Sequence, residues 1–228
     1  MSIADNLKTV TDRIASAAQR AGRDPSSVKL VVVTKTVDAT RIREAVAAGS
    51  KILGENRVQE AKEKIEELGN VASWHLIGHL QTNKAKYAVK LFELIHSVDN
   101  RELAGEIDRQ AAKINKVQPV LIEVSIAGEA SKAGVRSDET MDLIKEAAKL
   151  KNIAIHGLMT MPPFSENPED SRPYFRKLRE LAQSTARKGL PGVSMKELSM
   201  GMSGDFEVAI EEGATMVRVG TAIFGSRK

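Results

Sequence analysis

The sequence contains no cysteine among its 228 residues, which excludes disulfides, thiolate metal ligands and cysteine nucleophiles. Aromatic residues make up only 4% of it. No basic run is interleaved with them, so a net charge of +4 does not indicate nucleic-acid binding. No apolar run approaches the roughly 20 residues of a transmembrane helix, and the first residues lack the pattern of a secretory signal. We therefore expect a soluble, cytoplasmic protein with neither a membrane nor a nucleic-acid partner.

Histidine is also scarce, with four in the chain, and this bears on metal binding. His75 and His79 are four residues apart, a spacing that aligns two side chains on a helix but not on a strand. Because the segment around them reads as a strand and no third ligand stands nearby, we predict no metal site. His96 and His156 lie inside other predicted strands, where a structural role is more common than a catalytic one.

The chain does contain a regular alternation of two apolar patterns. An apolar stripe from Ile3 to Ala17, spaced by three and four residues, predicts an N-terminal helix that ends at Gly22. Short, nearly continuous apolar segments then alternate with helical patterns. The predicted strands are 28–34, 51–54, 74–78, 94–98, 119–124, 153–159, 197–199 and 215–219. The predicted helices between them are 39–48, 58–68, 84–90, 101–114, 139–150, 172–187 and 206–211.

This alternation predicts an α/β fold of parallel strands covered by helices. Eight such strands favour a single (β/α)8 TIM barrel with an extra N-terminal helix, and the chain length is close to the roughly 250 residues typical of that fold. No linker or change in composition interrupts the chain, so residues 1–228 are predicted to form one domain. An open, doubly wound sheet is the alternative, because a count of strands does not establish closure.

In a barrel of this kind, functional residues follow the carboxyl ends of the strands. Lys35 follows the first strand, whose residues 30–34 are apolar or β-branched. Partial burial there favours the uncharged, nucleophilic amine. The alternative is a lysine whose head simply reaches solvent, as strand-end lysines often do.

Two glycine- and hydroxyl-containing loops follow the last two predicted strands. The first includes Ser199 and Ser203, and the second includes Gly220 and Thr221. Barrels commonly bind phosphate in these loops, through backbone N–H groups and hydroxyls. A nucleophilic lysine facing a phosphate site suits a phosphorylated aldehyde such as pyridoxal 5′-phosphate (PLP). A sugar phosphate would suit the same loops, and spacing alone does not choose between them.

Several longer motifs carry a resemblance to a known family. They are VTK at 33–35, GENRVQE at 54–60, WHLIGHLQTNK at 74–84, HSVD at 96–99, GLMTM at 157–161, LSMGMSGD at 198–205 and VRVG at 217–220. From about residue 28 to the C-terminus the sequence resembles the pyridoxal phosphate homeostasis proteins. The resemblance implies the barrel of the alanine racemase N-terminal domain, standing alone.

The resemblance also implies roles for individual residues. Lys35 would hold PLP as a Schiff base, and Arg218 would face the pyridine nitrogen. Because arginine keeps its proton, that nitrogen would stay unprotonated and the cofactor would be a weak electron sink. The phosphate-binding positions would be Ser199, Ser203, Gly220 and Thr221, and the ring would be lined by Asn56, Met200 and His75.

The implied function is intracellular PLP homeostasis, by buffering PLP and delivering it through transient contact with apo PLP enzymes, without substantial catalysis. A loop at 131–135, with Lys132, could contact an anion or help to move the cofactor, although a solvated lysine is the default.

The alternative function is a PLP-dependent amino-acid racemase. Two-base racemisation needs a second acid/base, which alanine racemase takes from a tyrosine of another domain. Here the sequence ends soon after the last strand, and Tyr87 and Tyr174 fall on predicted helices. Without that second domain we also expect a monomer. A barrel that binds a sugar phosphate without a Schiff base is the third possibility.

Overall fold

The computed structural model describes residues 2–127 and 133–225. Helix α1, Ile3–Arg20, begins at Ser2, whose side chain and that of Asp5 cap each other's backbone N–H groups. The predicted apolar stripe from Ile3 to Ala17 is buried. The stripe packs α1 against the outside of the barrel, beside helices that follow its last two strands.

Eight parallel strands close on themselves, which confirms the predicted (β/α)8 barrel and excludes the open sheet. Each strand pairs with the next, and the last pairs with the first along the register Lys29↔Met216 to Val32↔Val219. The strands are β1 Lys29–Val33, β2 Ile52–Glu55, β3 Ser73–Leu76, β4 Leu94–Val98, β5 Gln118–Ser125, β6 Ile153–Met159, β7 Val193–Ser199 and β8 Met216–Val219. A further two-residue strand, Val135–Arg136, pairs with the end of β5.

Helices follow the strands around the barrel. They are α2 Ala39–Ala47, α3 Val58–Leu68, α4 Ala85–Leu91, α5 Arg101–Ala112, α6 Thr140–Ala147, α7 Arg172–Ala186, α8 Phe206–Glu211 and α9 Thr221–Phe224. Across 2–127 and 133–225, no helix combines the length and the apolar character that a bilayer span requires.

Strand β7 begins four residues before the predicted segment 197–199. Its first half lacks a continuous apolar run, because residues 193–196 are half-buried or exposed. The two-residue strand beside β5 was also not predicted, since a segment that short has no periodicity to detect.

The barrel interior changes from apolar to polar along its axis. The apolar part is a small cluster of Val31, Leu94, Leu121, Met159 and Met216. Two residues further along β5 and β8, Glu123 and Arg218 take the place of leucine and methionine on the same face of the strand. The polar part of the interior therefore lies at the carboxyl ends of the strands.

Candidate functional site at the carboxyl ends of the strands

A cavity of about 400 Å³ lies where the strands end and the following loops begin. Six of the nine residues predicted from sequence line it: Lys35, Asn56, Ser203, Arg218, Gly220 and Thr221. Its apolar wall includes Met161, Met202 and Phe164, the last with 92% of its surface exposed. Polar groups that converge on a partly apolar cavity of this size are typical of a small-molecule site.

Lys35 reaches the cavity from the turn that follows β1. Thr34, the residue before it, is buried, and Lys35 itself is half-buried. Thr36, the residue after it, has a φ of +62°, a left-handed backbone conformation that is rare for a β-branched residue. The chain therefore turns sharply directly after Lys35, a residue that lines the cavity.

The loops after β7 and β8 meet on the other side of the cavity. The Ser203 hydroxyl lies 3.5 Å from the backbone N of Ala222 in the first turn of α9. A Cβ on Gly220 would lie 3.1 Å from the Val33 carbonyl oxygen, so glycine allows β8 to approach β1 closely here. Asp205 also lines the cavity, and its carboxylate accepts hydrogen bonds from the Met202 N–H at 2.7 Å and the Ser171 hydroxyl at 2.9 Å.

Arg218 forms the floor of the cavity and is 3% exposed. Its Nη1 donates to Ser199 Oγ at 2.6 Å, and its Nη2 donates to the Thr160 carbonyl at 3.0 Å. Burial lowers the pKa of Arg218 to about 10, against the opposing effects of Glu123 and Asp205. The guanidinium therefore remains charged at neutral pH and is held at a fixed position by two acceptors.

Ser199, Met200 and His75 do not line the cavity. Ser199 and Met200 are fully buried, and His75 is nearly so. Ser199 belongs to a buried chain of polar groups, because its Oγ lies 2.9 Å from His96 Nδ1, and His96 Nε2 lies 3.0 Å from His75 Nδ1. Ser199 and His75 thus belong to a buried hydrogen-bonded chain that ends at Arg218. Their predicted contact with the cofactor, like that of Met200, stays a prediction.

The direction of hydrogen bonding along this chain follows from Arg218, which can only donate. Ser199 accepts from Arg218, so its own proton is available for His96 Nδ1, and His96 Nε2–H then donates to His75. Burial lowers the pKa of His75 to about 4 and that of His96 well below its usual value. Both histidines are therefore neutral at pH 7, as this arrangement requires. The sequence had indicated only a structural role for His96, with no sign of its partners.

The two serines of the 198–205 motif should respond differently to truncation. Ser199→Ala removes an acceptor from a buried guanidinium, so we expect a loss of about 1–3 kcal/mol in the free energy of unfolding. Ser203→Ala removes a half-buried hydroxyl on the cavity wall and should leave stability within about 0.5 kcal/mol of the parent. Denaturant unfolding of both variants measures these two changes in the free energy of unfolding. Binding of a phosphate monoester is measured in parallel. Equal stability of the two variants would contradict the placement of Ser199.

Glu123 is a further buried ionisable group of the barrel interior, and sequence reasoning missed it. It is 2% exposed, and its Oε2 is buried without a hydrogen-bond partner among the described residues. Burial raises the pKa of Glu123 to about 7; Asp99 raises it further and Arg218 opposes the rise. Its signal in the sequence is a single acid within the otherwise apolar predicted strand 119–124.

Glu123 should make stability fall as the pH rises. The folded state holds its proton up to about pH 7, whereas the unfolded state releases it near 4.5, so stability is lost between those values. At about 1.4 kcal/mol per pKa unit, the loss is on the order of 3 kcal/mol. Glu123→Gln should therefore gain on the parent by that amount between pH 5 and 8 in denaturant unfolding. The buried histidines have the opposite trend, but they cancel in this difference. A difference that does not vary with pH would refute the assignment.

Two further predictions concern metal binding and the 131–135 loop. Throughout the described ranges, no three His, Asp or Glu side chains are grouped so as to hold a metal ion. Ser131 and Lys132 lie outside the described residues, so the role suggested for Lys132 stays a prediction.

Comparison with known proteins identifies the family. A family model described as the alanine racemase N-terminal domain matches residues 6–228. The pyridoxal phosphate homeostasis protein of Aquifex aeolicus (strain VF5) is 51% identical over 229 residues, which cover 100% of both chains. The chain belongs to the pyridoxal phosphate homeostasis protein family. A family member from Escherichia coli (strain K12) is 40% identical over 231 residues, covering 99% of this chain and 97% of that protein.

Solved structures agree with this membership. PipY of Synechococcus elongatus PCC7942, solved with PLP bound, is 38% identical with a TM-score of 0.82, over 95% of this chain and 100% of that one. Alanine racemase of Clostridium difficile 630 gives a TM-score of 0.75 at 16% identity, over 98% of this chain and 57% of that one. At that identity the likeness to the racemase concerns the fold alone. The resemblance seen in the motifs is thereby confirmed.

Proposed function

We propose that this member of the family binds PLP in the cavity as a Schiff base on Lys35, buffers it and delivers it to apo PLP enzymes. The observation that carries the proposal is that one cavity holds the Lys35 side chain, the loops after β7 and β8, and Arg218. The aldehyde, phosphate and ring nitrogen of one PLP molecule each find a suitable group there. The relative PipY, with PLP bound, adds independent support.

The covalent step needs only the lysine amine and the aldehyde. Lys35 Nζ adds to the aldehyde carbon, and a C=N bond replaces the C=O bond as its oxygen leaves with two protons as water. The protein's part is to hold the amine beside the phosphate site, so that both ends of the molecule are bound together.

Storage, and not catalysis, is supported by two features of the site. Arg218 remains charged and donates its hydrogens, so it would leave a facing ring nitrogen unprotonated and weaken the electron sink, which disfavours extended carbanion chemistry but does not separate storage from racemisation. Tyr87 is a partly exposed residue of α4 and Tyr174 lies on α7. Among the described residues, no tyrosine lines the cavity to serve as a second base.

A transfer experiment tests delivery directly. The PLP-loaded protein is mixed with an apo PLP enzyme in the presence of a phosphatase that destroys free PLP, and recovered activity is followed. We expect recovery to survive the phosphatase, because handover in a complex bypasses solution. Complete loss of recovery would remove delivery and leave buffering. Lys35-dependent exchange of D- and L-amino acids at enzymatic rates would instead support the racemase.

A further inference from the structure

The backbone on both sides of Lys35 is held by side chains from α3. Lys64 Nζ donates to the Thr34 carbonyl at 2.6 Å, and the Thr36 N–H donates to Glu60 Oε1 at 2.5 Å. One contact precedes Lys35 and the other follows it. The segment that carries the lysine is thus fixed at two points from outside its own strand.

These two contacts belong to a buried ionic cluster. Lys64 Nζ also donates to Glu55 Oε1 at 2.6 Å and to Glu60 Oε1 at 2.7 Å. The Thr34 hydroxyl donates to the same oxygen of Glu55 at 2.6 Å. Glu55 is fully buried and Lys64 is 9% exposed. Burial raises the pKa of Glu55, against the opposing effect of Lys64.

The cluster contacts a residue with an unfavourable backbone conformation. Thr36 adopts its left-handed conformation next to the lysine, and such a conformation persists only where surrounding contacts enforce it. The hydrogen bond from Thr36 to Glu60 is one such contact. An ion cluster that only joined α3 to β2 would not need bonds to the backbone of residues 34 and 36.

We propose that Glu60, Lys64 and Glu55 are positioning residues for Lys35, which fix its backbone so that the amine meets the PLP aldehyde. The inference rests on the proposed function and adds to it the groups that set the rate of Schiff-base formation. A lysine side chain is long and flexible, so any motion of its backbone adds to the spread of positions that its amine samples. Fixing the backbone removes that added motion, and the amine then spends more time near a bound partner.

Glu60→Ala tests the proposal, because Glu60 is only partly buried, with 24% of its side chain exposed. We expect Schiff-base formation, followed by stopped-flow absorbance, to slow about tenfold. Affinity for pyridoxine 5′-phosphate, an alcohol that cannot form the imine, should be unchanged. Glu60→Gln keeps an acceptor for the Thr36 N–H and should restore most of the rate. Glu63→Ala, an exposed change on the same helix, is the matched control.

The outcomes separate the two proposals. A Glu60→Ala protein that reacts at the parental rate overturns the positioning role. So does a variant in which the rate and pyridoxine 5′-phosphate affinity fall together with the melting temperature, because that indicates general destabilisation. If borohydride fails to trap PLP on the parent protein, the proposed function falls and the positioning role falls with it.

Discussion

Lys35→Ala is expected to abolish covalent capture of PLP. Borohydride reduction of the loaded parent should add one reduced cofactor to Lys35, whereas the variant should show about a hundredfold less adduct or none. The reason is geometric, because Lys35 is the only lysine among the described residues that line the cavity, and the amine supplies the nitrogen of the imine. Mass spectrometry of the reduced protein after proteolysis measures the adduct and its position.

Lys29→Ala is the matched control for this experiment. Lys29 lies at the opposite end of β1, where its ammonium pairs with Glu197 at 2.5 Å and its side chain is 46% exposed. Its loss should leave the adduct on Lys35 at the parental yield. An adduct of parental yield on another lysine of the Lys35→Ala protein would contradict the assignment of the tethering residue.

Among the substitutions considered for their effect on stability, Gly157→Ala is expected to lower the free energy of unfolding the most. A Cβ on Gly157 would lie 1.8 Å from the carbonyl oxygen of Glu197 and 2.7 Å from its carbonyl carbon. Both are backbone atoms of the paired strand β7, so no side-chain rotation can relieve the overlap. The strands would have to separate where their register shifts. We expect the free energy of unfolding to fall by about 3 kcal/mol or more.

Gly105→Ala provides the opposite result with the same chemical change. Gly105 lies within α5, and a Cβ there would meet no heavy atom within 4 Å apart from its chain neighbours and the backbone of its own helix. Alanine is the better helix former, so the variant should gain about 0.5–1 kcal/mol. Guanidinium denaturation of both variants beside the parent measures the two effects. A Gly157→Ala protein within 1 kcal/mol of the parent would mean that β6 and β7 are not so closely packed.

The barrel could be predicted because its strands are short apolar runs separated by helical periodicity. β1 shows this most clearly, since residues 30–33 are continuously apolar, and β6 is apolar at every position except His156. The first half of β7 escaped prediction because residues 193–196 contact solvent and show no continuous apolar run. An apolar run in the sequence predicts a buried strand, but no comparable pattern predicts that a partly exposed segment pairs with a neighbouring strand.

The site could be predicted where a residue type and its strand position together imply chemistry, as for Lys35 and the loops after β7 and β8. Ser199 shows the limit of this reasoning. It shares a motif and a residue type with Ser203, but a strand end that turns at Gly201, where φ is +90°, places only the second at the cavity. The contact of His96 with Ser199 was missed because the two residues are 103 positions apart in the sequence. Lys64 was missed for another reason, because it lies among alternating charges at 60–67 that are typical of a solvated helix face.

Closure of the barrel determines when, during synthesis of the chain, its first strand can complete its hydrogen bonds. β1, which precedes Lys35, pairs with β8. The backbone hydrogen bonds of residues near 30 are therefore complete only when residues near 217 have been synthesised and have folded against them. Contacts so distant in sequence form slowly, because the intervening chain must be ordered first. A nascent chain emerging from the ribosome carries Lys35 early but lacks the loops after β7 and β8 until residues near 220 have been synthesised. Under the proposed function, capture of PLP can therefore begin only after β8 and the loop that follows it have been synthesised.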